Sequence, residues 1–262
     1  MISREKNFLD DFITMSSSTP HLSVIIPAYN EEKRIGKTLL SVKDYLKRQI
    51  YEYEILVVND GSKDKTAEVV NSFQKTIPGL RLIDNPENHG KGWVVRQGML
   101  QSQGRFKVFM DADNSTTIDL IEKAWPLLGQ GYNLVIATRD SRDHKEAEQV
   151  VKQPFFKRLL GDIGNRFIQV LAVHRIWDTQ CGFKVFSAKA AKEICSRCLM
   201  DRWGFDIEAL AIAKRIGFRI GLIPAQWIND PESKVKISGY FSTLVELFEI
   251  KMNLIRDRYK LR

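Results

Sequence analysis

Two rhythms of apolar and polar positions run along this chain. Short apolar runs at residues 22–27, 54–58, 80–83, 106–110 and 134–137 each stop abruptly at a polar turn. Strands buried on both faces of a sheet read this way. Between them, apolar residues recur every three or four positions. Ile35, Leu39, Val42 and Leu46 mark one such stretch, and Ala67, Val70 and Phe73 mark another that starts near Asp64. A third opens at Asn88-His-Gly-Lys-Gly92. That spacing predicts amphipathic helices. Strands alternating with helices predict an α/β fold: a mostly parallel, twisted sheet with helices on both faces.

The rhythm changes after Arg139. Residues 140–153 are charged and read as a mobile loop. Phe155, Phe156, Leu159, Leu160, Ile163, Phe167 and Leu171 follow at helical spacing. Such a stripe belongs to a core, and its aromatic start beside a charged loop also fits a lipid-facing surface. A turn and strand over 178–186, helices over 188–198 and 205–215, and a strand over 219–223 come next. In the tail, 239–262, a helical pattern puts Phe241, Leu244, Val245, Phe248, Met252, Ile255 and Tyr259 on one face, with Arg256, Arg258, Lys260 and Arg262 at its end. Two readings stay open: a helix packed on the domain with cations at its C-terminus, or an interfacial helix holding anionic lipid. The chain thus divides into a lead-in (1–20), one domain (21–237) and a C-terminal amphipathic helix (238–262).

At 262 residues the chain has room for one large domain with a substantial core. A net charge of +8 favours anionic partners, namely nucleotides, nucleic acid or an anionic membrane surface. No nucleic-acid-binding module is recognisable, so nucleic acid is not expected. Cys181, Cys195 and Cys198 are too few for a disulfide framework and fit a reducing compartment. No apolar run is long enough to span a bilayer, and the first twenty residues lack a signal-peptide core. The expectation is a cytoplasmic protein, peripheral at the membrane face.

The candidate chemistry gathers where the strands end. Residues 106–110 run straight into Asp111-Ala-Asp113, two carboxylates one residue apart. Hard oxygens at that spacing suit Mg2+ or Mn2+, which commonly bridge protein to phosphate. Pro27-Ala-Tyr-Asn-Glu31 and Asn59-Asp-Gly-Ser62 put further carboxylates at the ends of the first two strands. In an open α/β sheet these ends share one edge, where ligands bind. Mutual repulsion makes such a gathering costly unless a cation or ligand compensates. Cations are at hand: Lys91 in a Gly-rich helix start suited to anions, and Arg139 and Arg142 after the fifth strand. Acids for a metal and a ribose, with cations for a diphosphate, describe a nucleotide-sugar site. No complete dinucleotide or Walker fingerprint occurs, and the four histidines lack metal-ligand spacing.

With those motifs in hand, the chain resembles the family 2 glycosyltransferases of GT-A (Rossmann-like) fold over residues 22–258. Within them it resembles the lipid-phosphate branch, which holds dolichyl-phosphate mannose synthases and dolichyl-phosphate β-glucosyltransferases. Asp178-Thr-Gln-Cys-Gly-Phe-Lys184 and Arg202-Trp-Gly-Phe-Asp-Ile-Glu208 carry that narrower likeness, the second resembling the glucosyl version. The resemblance implies that Pro27, Tyr29, Glu31 and Asp60 hold the nucleoside, that Asp111 approaches ribose and metal, and that Asp113 is the main metal ligand. Ser115 stands where mannose synthases often carry a third ligand, Gln. Arg139, Arg142 and Lys234 would meet the diphosphate or an acceptor phosphate. The implied reaction is inverting transfer of a hexose to a polyprenyl phosphate, from UDP-glucose or alternatively GDP-mannose. A saccharide hydroxyl acceptor would need a general base, for which Asp206 is the candidate, while Glu208 reads as a helix-start residue. A nucleotide-sugar-binding protein without turnover is the remaining reading.

Overall fold

The computed structural model describes residues 19–149, 155–227 and 237–261. Almost all of the expected lead-in, the end of the 140–153 loop, and Lys234 lie outside the described residues. So do the side chains of Phe155, Phe156, Leu159, Leu160, Ile163 and Phe241.

The first half alternates as its pattern requires. β1 (Leu22–Ala28), α1 (Ile35–Leu46), β2 (Tyr53–Asp60), α2 (Thr66–Gln74), β3 (Leu80–Asn85), α3 (Lys91–Gln101) and β4 (Phe106–Met110) follow one another. A 3-10 turn (Ile118–Lys123) and α4 (Trp125–Gly129) lead to β5 (Leu134–Thr138). Then come β6 (Glu148–Gln149), α5 (Phe155–Leu171), β7 (Phe183–Ser187), α6 (Ala188–Cys195) and α7 (Phe205–Arg215). The chain closes with β8 (Ile220–Pro224), β9 (Gln226–Trp227) and α8 (Ile237–Ile255).

Seven strands form one sheet in the order β3-β2-β1-β4-β7-β5-β8. Only β7 runs against its neighbours, antiparallel to both β4 and β5. The chain moves outward from β1 to β2 and β3, then returns to lay β4 on the other side of β1. That reversal opens a crevice beyond the carboxyl ends of β1 and β4. Successive side chains of β1 serve opposite faces. Val24 and Ile26 join a core beneath α1 and α2, while Ile25 joins a second core with α3, α6, α7 and α8. Burial on both faces explains why β1, β4 and β5 read as largely apolar runs. The exception, Lys107 in β4, is buried and donates to the Met99 and Ser102 carbonyls at 2.8 and 2.7 Å, the open C-terminal end of α3.

Two expectations need correction. Residues 140–149 are not loose. Asp143 accepts from the Thr138 hydroxyl and from the Trp177 and Asp178 backbone N–H groups at 2.8–2.9 Å, and β6 pairs with β9. The tail helix does not run to 262 either. It ends at Ile255, and Asp257 adopts a left-handed φ of 49°. The chain turns back there, so Tyr259 is buried while Val245, Phe248, Met252 and Ile255 stay exposed.

Candidate active site

β4 delivers Asp111 and Asp113 to the crevice. The Asp111 backbone N–H donates to the Gly182 carbonyl at 3.1 Å, extending the β4–β7 ladder by one residue. Asp113 Oδ1 accepts the Ser115 N–H at 2.9 Å across Asn114, whose φ of 58° closes an Asx turn. Burial pushes the Asp113 carboxyl above its ordinary range, and the Asp111 charge pushes the same way. Hydrogen bonds from the Ser115 backbone and hydroxyl oppose that shift. Ser115 thus backs Asp113 here rather than standing apart as a third oxygen donor. Among the described residues, no three His, Cys, Asp or Glu side chains gather in a metal-binding group. The donor set is a carboxylate pair, which suits a hard cation that keeps its waters and takes phosphate oxygens.

Lys91, the first residue of α3, meets this pair. Its Nζ lies 2.6 Å from Asp111 Oδ1. Burial disfavours the ammonium, but Asp111, Asp206 and Asp113 outweigh burial and raise its pKa. The turn before Lys91 is fixed by β2. Asp60, only 3% exposed, accepts the His89 N–H at 2.7 Å, the Gly90 N–H at 3.0 Å and the Asn88 amide at 2.9 Å. Gly90 has a φ of 107°, and a Cβ there would stand 2.4 Å from the Asp201 carbonyl oxygen. Asp60 is therefore committed to the turn that carries Lys91, where sequence reasoning expects it beside a nucleobase.

The end of β1 is tied to the same place. Pro27 is buried, and Tyr29 is 42% exposed beside it. The Asn30 N–H donates to the Ser62 hydroxyl and the Glu31 N–H to the Thr66 hydroxyl, each at 2.8 Å. Glu31 grips Arg34 through both carboxylate oxygens at 2.6 and 2.7 Å, and the Arg34 charge reaches Asp113. The Thr38 hydroxyl donates to the Ala112 carbonyl at 2.6 Å. The ends of β1 and β2 are thus both linked to the Asp111–Asp113 pair, the first through Arg34 and the second through the 88–90 turn and Lys91.

A second layer supports the first. Asp206 is 2% exposed and paired with buried Lys184 at 2.5 Å; Lys184 also donates to the Cys181 carbonyl. Burial raises the Asp206 carboxyl against the pull of Lys184 and Lys91. This is a supporting position beneath the site, not that of an open general base. Arg139 is clamped by Asp178, which accepts from its Nε, Nη2 and backbone N–H at 2.7–2.8 Å. The Arg139 charge senses Asp111. Arg142 bonds Asp140 and stacks on Trp177, 4.1 Å from the ring centroid. Glu208 is fully buried and accepts the Leu199 and Met200 N–H groups at 2.9 and 3.0 Å. Burial pushes the Cys181 and Cys195 thiols up to about 12, so neither is a reactive thiolate.

The profile described as Glycosyl transferase family 2 matches residues 23–195, which include both carboxylates, Lys91, Arg139 and the Asp178–Lys184 run. The chain belongs to glycosyl transferase family 2. One curated relative, dolichyl-phosphate beta-glucosyltransferase ALG5A of Trichomonas vaginalis, is 38% identical over 239 residues, covering 88% of this chain and 72% of that protein. The dolichyl-phosphate beta-glucosyltransferase of Homo sapiens is 35% identical over 229 residues, covering 84% and 71%. Among solved structures, glucosyl-3-phosphoglycerate synthase from Mycobacterium tuberculosis, in complex with Mn2+, UDP-glucose and phosphoglyceric acid, superposes with a TM-score of 0.61. At 20% identity over 88% of this chain and 80% of that one, it shows the shared GT-A fold.

Sequence reasoning about this family 2 chain missed Arg34, Asp178, Gly182 and Lys184. The last three lie in a motif read only as a mark of the branch. Lys184 carried a readable signal, because a lysine inside an apolar strand needs a buried partner. Arg34 carried none, being one of 40 lysines and arginines.

Proposed function

We propose that the chain transfers glucose from UDP-glucose to a polyprenyl phosphate such as dolichyl phosphate. The observation that carries this reading is the Asp111–Asp113 pair beside Lys91 at the β1/β4 crevice of a family 2 chain. Relatives named dolichyl-phosphate beta-glucosyltransferases over more than four fifths of the chain support the choice of sugar and acceptor.

Asp111 and Asp113 would hold Mg2+ or Mn2+, which when bound supplies positive charge against a departing diphosphate. Pro27, Tyr29 and Glu31 bound the nucleoside side of the crevice, and Asp60 acts by holding the Lys91 turn. Lys91 contacts Asp111, and the Arg34 and Arg139 charges also reach the acidic pair. An acceptor phosphate oxygen attacks the anomeric carbon as the bond from that carbon to the diphosphate oxygen breaks. The electron pair leaves with the diphosphate, where preorganised cations stabilise it more than they stabilise the bound donor. A phosphate monoester has a second pKa of about 6 and is largely ionised at neutral pH. It needs no general base, consistent with an Asp206 that is buried and paired. Arg142 and Lys234 are assigned to phosphate on the resemblance alone.

The acceptor implies a membrane surface. No helix among the described residues is long and apolar enough to cross one. Val245, Phe248, Met252 and Ile255 instead line the outer face of α8, 41–68% exposed, while Leu247 and Ile250 on its inner face are buried. Arg256, Arg258 and Lys260 follow directly. A helix apolar on its outer face and basic at its end suits an anionic bilayer surface.

A donor screen tests the proposal. Purified protein with Mn2+ or Mg2+ and a polyprenyl phosphate is offered UDP-glucose, GDP-mannose and other nucleotide sugars. Glucosyl transfer to the lipid is expected. Transfer from GDP-mannose alone overturns the donor, and transfer only to free saccharides overturns the acceptor.

A further inference from the structure

Lys91 has an unusual setting for a phosphate-binding lysine. Its Nζ contacts Asp111 and lies within electrostatic reach of Asp113 and Asp206. The ammonium is 5.4 Å from the Trp203 ring centroid and 6.0 Å from that of Phe205, both favourable for a cation. Three carboxylates here face two lysines. Lys184 is 1% exposed and engaged by Asp206 and the Cys181 carbonyl, so its charge is already used. Compensation of the acidic pair from this side therefore falls to Lys91.

The lysine's anchor is rigid while its head is not. Asp60 fixes residues 88–90, Gly90 abuts the Asp201 carbonyl, and the Trp93 N–H donates to that carbonyl at 3.1 Å. Beyond Cα, four methylenes let the ammonium swing.

We propose that Lys91 is the resident counter-ion of the Asp111–Asp113 pair, displaced when a divalent cation enters and then taken up by the diphosphate of the nucleotide. This inference rests on the metal-binding reading above and adds a coupling to it. A cation arriving alone must displace an ammonium from Asp111 and leave it beside the metal as a like charge. A nucleoside diphosphate offers that ammonium a new anionic partner. Metal and nucleotide must then bind with positive coupling, which by linkage is the same in either order. The protein would thereby hold metal weakly until a donor is present.

Mn2+ binding by the full chain, followed by the electron paramagnetic resonance of the free ion, reads this directly. Titrations are run on wild type, Lys91→Gln, Lys91→Arg and Asp113→Asn, each with and without uridine diphosphate. Removing one like charge within a few ångströms is worth on the order of tenfold. K91Q should bind Mn2+ alone about tenfold more tightly than wild type and lose most of the enhancement by uridine diphosphate. K91R keeps the charge and should bind Mn2+ alone as weakly as wild type. Unchanged or weaker Mn2+ binding by K91Q overturns the inference. If binding with uridine diphosphate is still lost in D113N, the metal-binding reading survives that failure. Absence of Mn2+ binding by wild type with or without uridine diphosphate overturns both.

Discussion

At the scale of single residues, the site depends on close approach as much as on charge. A Cβ on Gly182 would stand 1.9 Å from Asp111 Oδ2, so the carboxylate occupies space that any other residue would claim. Gly182→Ala should displace Asp111 and lower kcat by on the order of 100-fold. Steady-state kinetics check this, with circular dichroism confirming the fold; wild-type kcat in G182A would refute the packing argument. The position of the carboxylates was legible from the sequence, because acids close three apolar strands at one sheet edge. What those side chains bond to was not. Asp60, expected to hold the nucleoside, also clamps residues 88–90. Asp206 reads as a base and proves to be half of a buried ion pair. Both have partners distant in sequence, which no local pattern reveals.

Elements were legible in proportion to their periodicity. α1 and α7 fall where the apolar spacing puts them, at Ile35–Leu46 and Phe205–Arg215. Ends set by tertiary contacts were harder. α6 stops at Cys195, short of the expected 198, and the following segment is held by Glu208 through the Leu199 and Met200 N–H groups. Glu208→Ala would leave two backbone donors without that partner. It should cost about 2–6 kcal/mol in urea unfolding, at roughly 1–3 kcal/mol per lost partner. A change below the error of the measurement would show that water replaces the carboxylate. α8 poses the corresponding question at the surface. The double substitution Phe248→Ser and Ile255→Ser removes two half-exposed apolar side chains. At about 25 cal/mol per Å2, vesicle binding should fall roughly tenfold or more while the thermal midpoint stays put. Flotation with anionic vesicles reads this, and equal flotation of the variant would remove α8 from the membrane contact.

For the whole molecule, stability has a built-in acid limit where β1 begins. His21 packs against Tyr51, Phe106 and Trp125 at ring-centroid distances of 5.1–5.5 Å. Burial, with Arg105 acting the same way, holds its pKa down at about 4, against 6.5 for an unperturbed histidine. The unfolded chain therefore binds the proton first as pH falls. The contribution is complete above about pH 6.5 and is lost as pH falls through the folded value. The full shift would correspond to about 3 kcal/mol, and partial solvation of the ring reduces this to roughly 1–2 kcal/mol. His21→Phe should lose less stability than wild type between pH 7 and 4.5 by that amount, measured from urea midpoints. Parallel losses would contradict it.

The whole molecule is organised, on the proposed function, around two aspartates at one strand end that hold a cation through which the nucleotide sugar is gripped. Calorimetric titration of UDP-glucose into the protein tests it most directly, with Mn2+ or with EDTA, for wild type and for Asp113→Asn. Saturable binding that requires both the metal and Asp113 is predicted; equal affinity in EDTA, or in folded D113N with Mn2+, would contradict the account.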